Sequence, residues 1–221
     1  RQPHFQAAAH HNLERTTVNS IEIYCLVYHN HTALDLIGPA DFLGRIPNAA
    51  LHYVSPNGGR IRSGAGFVME TEACPPLPAG SVLLVPGGMG TRTLVSDNVF
   101  LQMLAARVRE AKWCLSVCTG SALLAAAGCL DGHSATSNKK SFGWASSFGS
   151  GVDWKATARW VADGKFYTSS GVAAGMDMAL GFIADQYGED LARQIANDTE
   201  YARQTDAEQD DFAALHGLGK F

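Results

Sequence analysis

From Ile21 onward, short apolar stretches rich in β-branched and aromatic residues alternate with longer stretches whose apolar side chains recur at helical spacing. Stretches of the first kind are typical of buried strands, and those of the second kind are typical of helices that cover a sheet. The predicted strands are 21–28, 51–54, 81–85 and 113–117, and the predicted helices are 35–45, 97–110 and 120–127. The alternation predicts an α/β fold with a mostly parallel central sheet and helices on both faces.

Two β-hairpins and two more helices complete the predicted organisation. Asp163 and Gly164 form a strong two-residue turn signal between two apolar stretches. The predicted hairpins cover 60–71 and 158–168, and the predicted helices cover 176–187 and 189–203. We expect Pro39 in the first turn of its helix, because a proline ring is tolerated there and breaks the hydrogen bonding further in.

The first twenty residues differ from the rest of the chain. Residues 1–20 show no apolar periodicity and lack the continuous apolar stretch of a signal peptide. We therefore predict a polar N-terminal extension at 1–20 followed by one domain at 21–221. A helix-turn-helix domain is not expected after it, because the residues that follow the Ala179 helix are taken up by one more helix and a tail.

Charge and cysteine usage exclude several classes of protein. The 17 basic and 21 acidic residues give a net charge of −4. The sequence has no cluster of basic residues of the kind that forms a nucleic-acid-binding surface. No apolar run is long enough to span a membrane. The five cysteines lack both a disulfide framework and the spacing of a zinc site. We expect free thiols in a cytoplasmic protein that binds no metal, nucleic acid or membrane.

Cys118 occupies a turn that favours nucleophilic chemistry. The segment Val117-Cys118-Thr119-Gly120 joins a predicted strand to a helix of small residues, which is the pattern of a nucleophile elbow with cysteine in place of serine. The helix N-terminus supplies amide hydrogens and partial positive charge, so we expect a lowered thiol pKa and a reactive thiolate. The plainer interpretation of a lone cysteine, a small buried residue, fits Cys25, Cys114 and Cys129 better, whereas Cys74 is expected to be an inert residue of a loop.

A second loop, Pro86-Gly87-Gly88, leaves the preceding predicted strand at the same edge of the sheet. Paired glycines usually mark only a turn. Beside an elbow, however, a glycine lets its amide approach a reacting oxygen closely. We therefore predict that the amides of Gly88 and Thr119 form an oxyanion hole.

A nucleophilic thiol needs an acid or base beside it, and three side chains follow the first predicted strand. They are His29, His31 and Asp35. Asp35 lies among aliphatic residues, where burial would raise the pKa of its carboxyl toward a useful range. Spacing alone favours a different interpretation of Asp35, as a helix N-cap.

Several motifs taken together resemble the DJ-1/PfpI superfamily, and most of all its isocyanide hydratase-like branch. They run from about Ile21 to Phe212 and comprise Leu34-Asp35-Leu36-Ile37-Gly38-Pro39, Val85-Pro86-Gly87-Gly88, Ser116-Val117-Cys118-Thr119-Gly120-Ser121, Ala135-Thr136 and Gly171-Val172-Ala173-Ala174-Gly175-Met176-Asp177. The resemblance implies a flavodoxin-like three-layer sandwich, similar to class I glutamine amidotransferases. It also implies a homodimer that acts on a small molecule without cofactor or metal.

The resemblance also assigns roles to residues. Cys118 matches the family's nucleophile, Asp35 its partner carboxylate, Thr119 the neighbouring threonine and Gly88 the oxyanion loop. The implied substrate pocket adds Gly87, Asn138, Gly171 and Val172. One stretch departs from the hydratases, because Asn138 and Lys139 stand where they have histidine and tryptophan.

Three functions follow from this resemblance. The first is a cysteine-dependent hydratase that converts an isocyanide to a formamide. The second is glyoxalase-like or deglycase-like chemistry on α-oxoaldehydes. The third is a non-catalytic redox sensor in which Cys118 is oxidised beside Asp35.

Overall fold

The structure is a computed structural model that describes residues 21–219, so the predicted extension 1–20 lies outside the described residues. Its strands are β1 (Ile21–Leu26), β2 (Ala49–Ser55), β3 (Gly59–Arg62), β4 (Val68–Ala73), β5 (Val82–Val85), β6 (Trp113–Ser116), β7 (Ser134–Ala135), β8 (Asp153–Trp154), β9 (Trp160–Asp163) and β10 (Phe166–Ser169). Its helices are α1 (Ala33–Leu43), α2 (Thr91–Leu94), α3 (Asn98–Glu110), α4 (Gly120–Ala126), α5 (Phe142–Ala145), α6 (Ala174–Tyr187), α7 (Glu189–Asp198) and α8 (Phe212–Leu215).

Within residues 21–219, eight strands form one sheet in the order β3-β4-β2-β1-β5-β6-β10-β9. The six strands from β4 to β10 run parallel, and the antiparallel strands β3 and β9 lie at the two edges. Both predicted hairpins, β3–β4 and β9–β10, are present. The mostly parallel α/β fold is therefore confirmed. β7 and β8 form a separate small pair that the sequence analysis missed.

Two apolar cores lie on opposite faces of the sheet, which gives the three layers of the sandwich. One core packs α1, α6 and α7 against residues such as Ile23, Leu84 and Leu115. The other packs α3 and α4 against their neighbours in the same strands, such as Leu83 and Cys114. Because successive strand residues point to opposite faces, strands buried on both faces are continuously apolar. Within the described residues, no helix has both the length and the apolar character needed to cross a bilayer.

Two helix predictions need correction. Pro39 lies in the middle of α1 rather than in its first turn, and its ring packs close to Gly175 of α6, so tertiary packing outweighs the lost hydrogen bond. The helix predicted over 189–203 ends at Asp198. The Thr199 hydroxyl donates to the Ile195 carbonyl, and the positive φ of 51° at Glu200 turns the chain away.

The parallel strands bring four connecting segments to one edge of the sheet. β1, β5, β6 and β10 are consecutive neighbours, and their carboxyl ends lead to Asp35, Gly87, Cys118 and Gly171 respectively. In open α/β sheets, binding sites form at this edge. The residues predicted from the sequence therefore meet in one place.

Candidate active site

Cys118 lies on a strained turn between β6 and α4. Its φ of +56° is in the left-handed region, which costs a residue other than glycine on the order of 1 kcal/mol or more. The surrounding backbone holds this conformation, because the Cys118 N–H is shared between the carbonyls of Ser169 and Ser170, each at 3.2 Å. A Cβ at Gly120 would lie 2.4 Å from the Val85 carbonyl oxygen, so this close approach requires glycine. The predicted elbow is present.

Two buried serines fix the carbonyl of the nucleophile. The Cys118 carbonyl accepts the hydroxyl of Ser121 at 3.1 Å and that of Ser137 at 3.0 Å. Ser121 belongs to α4, whereas Ser137 belongs to the loop after β7. The role of Ser137 could not be predicted from the sequence, because a serine in a polar segment carries no signal of burial.

Asp35 is the third residue of α1, and it does not cap the helix. Thr32 holds the N-cap position, and Asp35 Oδ2 instead accepts the Gly87 N–H at 3.0 Å. Oδ1 is also buried and lacks a partner of good hydrogen-bond geometry among the described residues. Burial raises the pKa of the Asp35 carboxyl to about 7, although hydrogen bonds from Gly87 and the Cys118 thiol oppose the shift. The side chain is thus placed and tuned as an acid or base at neutral pH.

The Cys118 thiol is protonated in this environment, which corrects the expected lowering of its pKa. Only 6% of the residue is exposed, and burial is the main reason that the thiol pKa is raised; the nearby Asp35 carboxylate raises it further. Hydrogen bonds from the Thr119 amide and the Asn138 side chain oppose the shift. A protonated thiol beside a carboxyl of pKa about 7 requires activation by a base rather than by a helix N-terminus.

The Gly87-Gly88 loop packs directly on the elbow. A Cβ at Gly87 would lie 2.6 Å from the Thr119 nitrogen and 2.8 Å from both Asp35 Oδ2 and the Cys118 Cβ. The Gly88 N–H donates to Thr119 Oγ1 at 3.1 Å, and this hydroxyl also accepts from Thr91 at 3.2 Å. Because the Gly88 amide donates to this hydroxyl, its role in an oxyanion hole stays a prediction. The Thr119 amide is the donor that faces the sulfur.

Asn138 also contacts the thiol. Its Oδ1 accepts the Ser141 N–H at 2.9 Å, and its amide group hydrogen-bonds Cys118. A Cβ at Gly171 would lie 2.1 Å from Asn138 Nδ2, so this placement of the amide requires glycine at 171. Asn138 thus occupies a position from which it can stabilise negative charge on the sulfur.

A cavity of about 300 Å³ opens at Asn138. Gly87 and Cys118 are not among its lining residues, whereas Gly171 and Val172 are, and so are Phe212 and His216 of the C-terminal segment. The sequence gave no signal for these last two, because they lie far along the chain in a short helix and its exit. Among residues 21–219, no three His, Cys, Asp or Glu side chains cluster as metal ligands.

The match to a protein family decides which of the known α/β folds this is. The DJ-1/PfpI family profile matches residues 21–185. The chain belongs to the DJ-1/PfpI family. Isonitrile hydratase of Pseudomonas putida is 32% identical over 187 residues, covering 83% of this chain and 79% of that protein. A ThiJ/PfpI family protein from Pseudomonas syringae superposes with a TM-score of 0.76 at 31% identity, covering 91% of this chain and 84% of that one.

The DJ-1/PfpI domain also occurs in larger proteins. The HTH-type transcriptional regulator GbdR of Pseudomonas aeruginosa is 30% identical over 153 residues, which is 69% of this chain but 41% of that regulator. At 18% identity, DJ-1beta of Drosophila melanogaster shares the fold, with a TM-score of 0.69 over 83% of this chain and all of that one. The family is therefore shared by an enzyme and by regulators.

Proposed function

We propose that this DJ-1/PfpI protein is a cysteine-dependent hydratase that converts a small isocyanide to the N-substituted formamide. The observation that carries the proposal is the packing of the Cys118 side chain and the Asp35 carboxylate around the Gly87 α-carbon, where burial raises the pKa of the Asp35 carboxyl to about 7 and raises the pKa of the thiol as well. The 32% identity to isonitrile hydratase over most of both chains supports this reaction over other cysteine chemistry.

In the first half of the reaction, the sulfur attacks the terminal carbon of the isocyanide. Asp35 accepts the thiol proton as the S–C bond forms and returns it to the same carbon, which gives a thioimidate. The proton that leaves the thiol is the one that reaches the carbon, and Asp35 carries it between them, so no external acid is needed. A carboxyl of pKa about 7 can both accept and return this proton.

In the second half, water adds to the thioimidate carbon. Asp35 accepts a proton from the water as the C–O bond forms and passes it to the imine nitrogen, which gives a neutral tetrahedral adduct. As the C–S bond then breaks, the C–O bond becomes the formamide carbonyl, and the hydroxyl proton passes through Asp35 to the leaving sulfur, which restores the thiol. The sum is one isocyanide plus one water to one formamide.

Two donors beside the sulfur support both halves. The Thr119 amide and the Asn138 side chain hydrogen-bond Cys118 and oppose the raised thiol pKa, so they favour negative charge on the sulfur. This charge is greatest when the proton has moved to Asp35 and again when the C–S bond breaks. Fixed donors at this point lower the barrier of both steps.

The test is turnover of n-butyl isocyanide, followed by the appearance of N-butylformamide. Wild-type protein should form the product, whereas Cys118→Ala should form none. The matched control Cys129→Ala should keep wild-type turnover, because Cys129 lies in the turn after α4, among charges that do not include Asp35. Equal turnover by Cys118→Ala would contradict the proposal. So would turnover of methylglyoxal in place of the isocyanide, which indicates glyoxalase-like chemistry. Absence of all turnover, with selective oxidation of Cys118, would indicate a sensor.

A further inference from the structure

Lys139 is buried in the loop that carries Asn138. Only 4% of the residue is exposed, although lysine is almost never buried without a partner. Its ammonium donates to Thr136 Oγ1 at 2.8 Å and to the Ala158 carbonyl. These bonds tie the start of the loop to the segment that precedes β9.

The ammonium belongs to a buried cluster of charges. Arg159 pairs with Asp177 at 2.7 Å and lies 3.7 Å from Asp210 Oδ2, an oxygen that is buried without a hydrogen bond among the described residues. Asp210 also favours the charged form of Lys139, which burial and Arg159 disfavour. Two cations and two carboxylates therefore balance within the protein interior, where each charge depends on the others.

This cluster connects two sides of the cavity beside Asn138. Lys139 directly follows Asn138, whose amide contacts Cys118. Asp210 belongs to the C-terminal segment, where its N–H donates to the Thr157 carbonyl at 2.7 Å, and it precedes Phe212 on the cavity wall. A displacement of the ammonium would therefore move the Asn138 loop relative to the wall.

We propose that Lys139 is a positioning residue that holds Asn138 against the Cys118 thiol. The Asn138 side chain has a first anchor on the C-terminal side of the loop, because its Oδ1 accepts the Ser141 N–H. The bonds of Lys139 to Thr136 and Ala158 supply the second anchor. The catalytic meaning of this role rests on the proposed function, but the contact between Asn138 and the thiol can be measured without it.

The test measures the pH midpoint for alkylation of Cys118 by iodoacetamide, with mass spectrometry to identify the site. Lys139→Met keeps most of the length of the side chain and removes its ammonium. The hydrogen bond from Asn138 to Cys118 favours the thiolate. If Lys139→Met breaks this bond, the midpoint should rise by about one pH unit, and alkylation at neutral pH should slow about tenfold. Asn138→Ala should give the same shift, and the double variant should add nothing further.

Lys155→Met is the matched control. Lys155 is close in the chain to Ala158, but its exposed ammonium pairs with Asp153 at 2.6 Å, outside the buried cluster. This variant should keep the wild-type midpoint. The paired variant Lys139→Met with Asp210→Asn removes both charges, so neither is left uncompensated, and it should also show the raised midpoint.

The proposal would be overturned if Lys139→Met, alone or paired with Asp210→Asn, lowered the melting temperature but left the alkylation midpoint of Cys118 unchanged. Lys139 would then be a purely structural residue. A full second shift in the double variant with Asn138→Ala would overturn it too, because the two residues would then act independently. Alkylation requires no isocyanide. A protein that fails to hydrate isocyanides therefore still gives an answer about Lys139.

Discussion

Asp35 and Gly87 are 52 residues apart in sequence, and the Asp35 carboxylate accepts the Gly87 amide hydrogen at 3.0 Å. This bond connects the first turn of α1 to the loop after β5. It holds one carboxyl oxygen in place. The other oxygen is buried and has no partner of good hydrogen-bond geometry among the described residues, so it is available to take up a proton. The base is therefore oriented before any substrate arrives, which is the condition for efficient proton transfer.

The first prediction concerns the activity of Asp35→Asn. An amide cannot exchange a proton at neutral pH, and general acid–base catalysis contributes about 10²–10⁴-fold. We expect kcat for an isocyanide to fall at least about 100-fold. Asp41→Asn is the matched control, because Asp41 lies in the same helix and pairs on the surface with Arg45. Near-full turnover by Asp35→Asn would remove Asp35 from the mechanism.

The second prediction is the acidic limb of the pH profile. Asp35 must be ionised to accept the thiol proton, and the pKa of its carboxyl is raised to about 7 by burial. We therefore expect kcat/KM to rise tenfold per pH unit up to about pH 7 and then to level off. Steady-state rates between pH 5.5 and 8.5 measure this limb. A profile that is flat across the range would show that the carboxyl is ionised throughout.

The third prediction concerns stability. The pKa of the Asp35 carboxyl is raised to about 7 in the folded protein from 3.8, so the folded state binds more protons than the unfolded state between these values. Stability is therefore lost as the pH rises through this window, by about 4 kcal/mol at most. Asp35→Asn should remove this loss, so it should be more stable than wild type at pH 8 and similar at pH 4. Urea unfolding at both pH values tests this. A variant less stable than wild type at pH 8 would contradict it.

The fourth prediction concerns the glycine that admits the Asn138 amide. A methyl group at position 171 would lie 2.1 Å from Asn138 Nδ2, so Gly171→Ala should displace the amide and lower kcat/KM about tenfold or more. Gly143→Ala is the control, since nothing lies within 4 Å of a Cβ at that position. Equal effects of the two substitutions on kcat/KM would mean that the amide does not act at the thiol.

The fifth prediction is association into a homodimer. Apolar side chains are exposed on α1, on the β3–β4 hairpin and on the loop after β5. The hairpin is bonded to the segment before α1, because the Gly64 N–H donates to the His31 carbonyl. These side chains are Leu34, Ile37, Phe67, Val68 and Met89. We propose that a second copy of the chain covers them, because surfaces of this kind mark interaction sites.

Light scattering at micromolar concentration should give about twice the chain mass of 23.5 kDa. Ile37→Asp should shift the mass toward that of the monomer. Val99→Asp should not, because Val99 is exposed on α3, on the other face of the sheet. A monomeric wild-type protein at this concentration would contradict the proposed dimer.

The order of strands and helices could be predicted because strands buried on both faces are continuously apolar. The stretch from Val82 to Val85 is an example. Ends of elements were less predictable. The last long helix stops at Asp198 because of a local turn at Glu200, and no residue in that segment has the usual sequence signal of a helix end.

The elbow at Cys118 could be predicted because its determinants are adjacent in sequence. Asp35 was harder, since the same residue type at the start of a helix also caps helices, and the hydrogen bond to Gly87 spans 52 residues. Lys139 could not be predicted to be buried. Lysine is almost always exposed, and the carboxylates that balance this one come from distant parts of the chain.

Gly87 has a practical value for sorting sequences of the family. Its α-carbon is enclosed by the Thr119 amide, the Asp35 carboxylate and the Cys118 side chain, so even alanine would push the base and nucleophile apart. A homologue that keeps the cysteine and the carboxylate but has a larger residue here has rearranged the pair. Genome searches for enzymes that work as this one is proposed to work can therefore use three positions, 35, 87 and 118, as a combined filter.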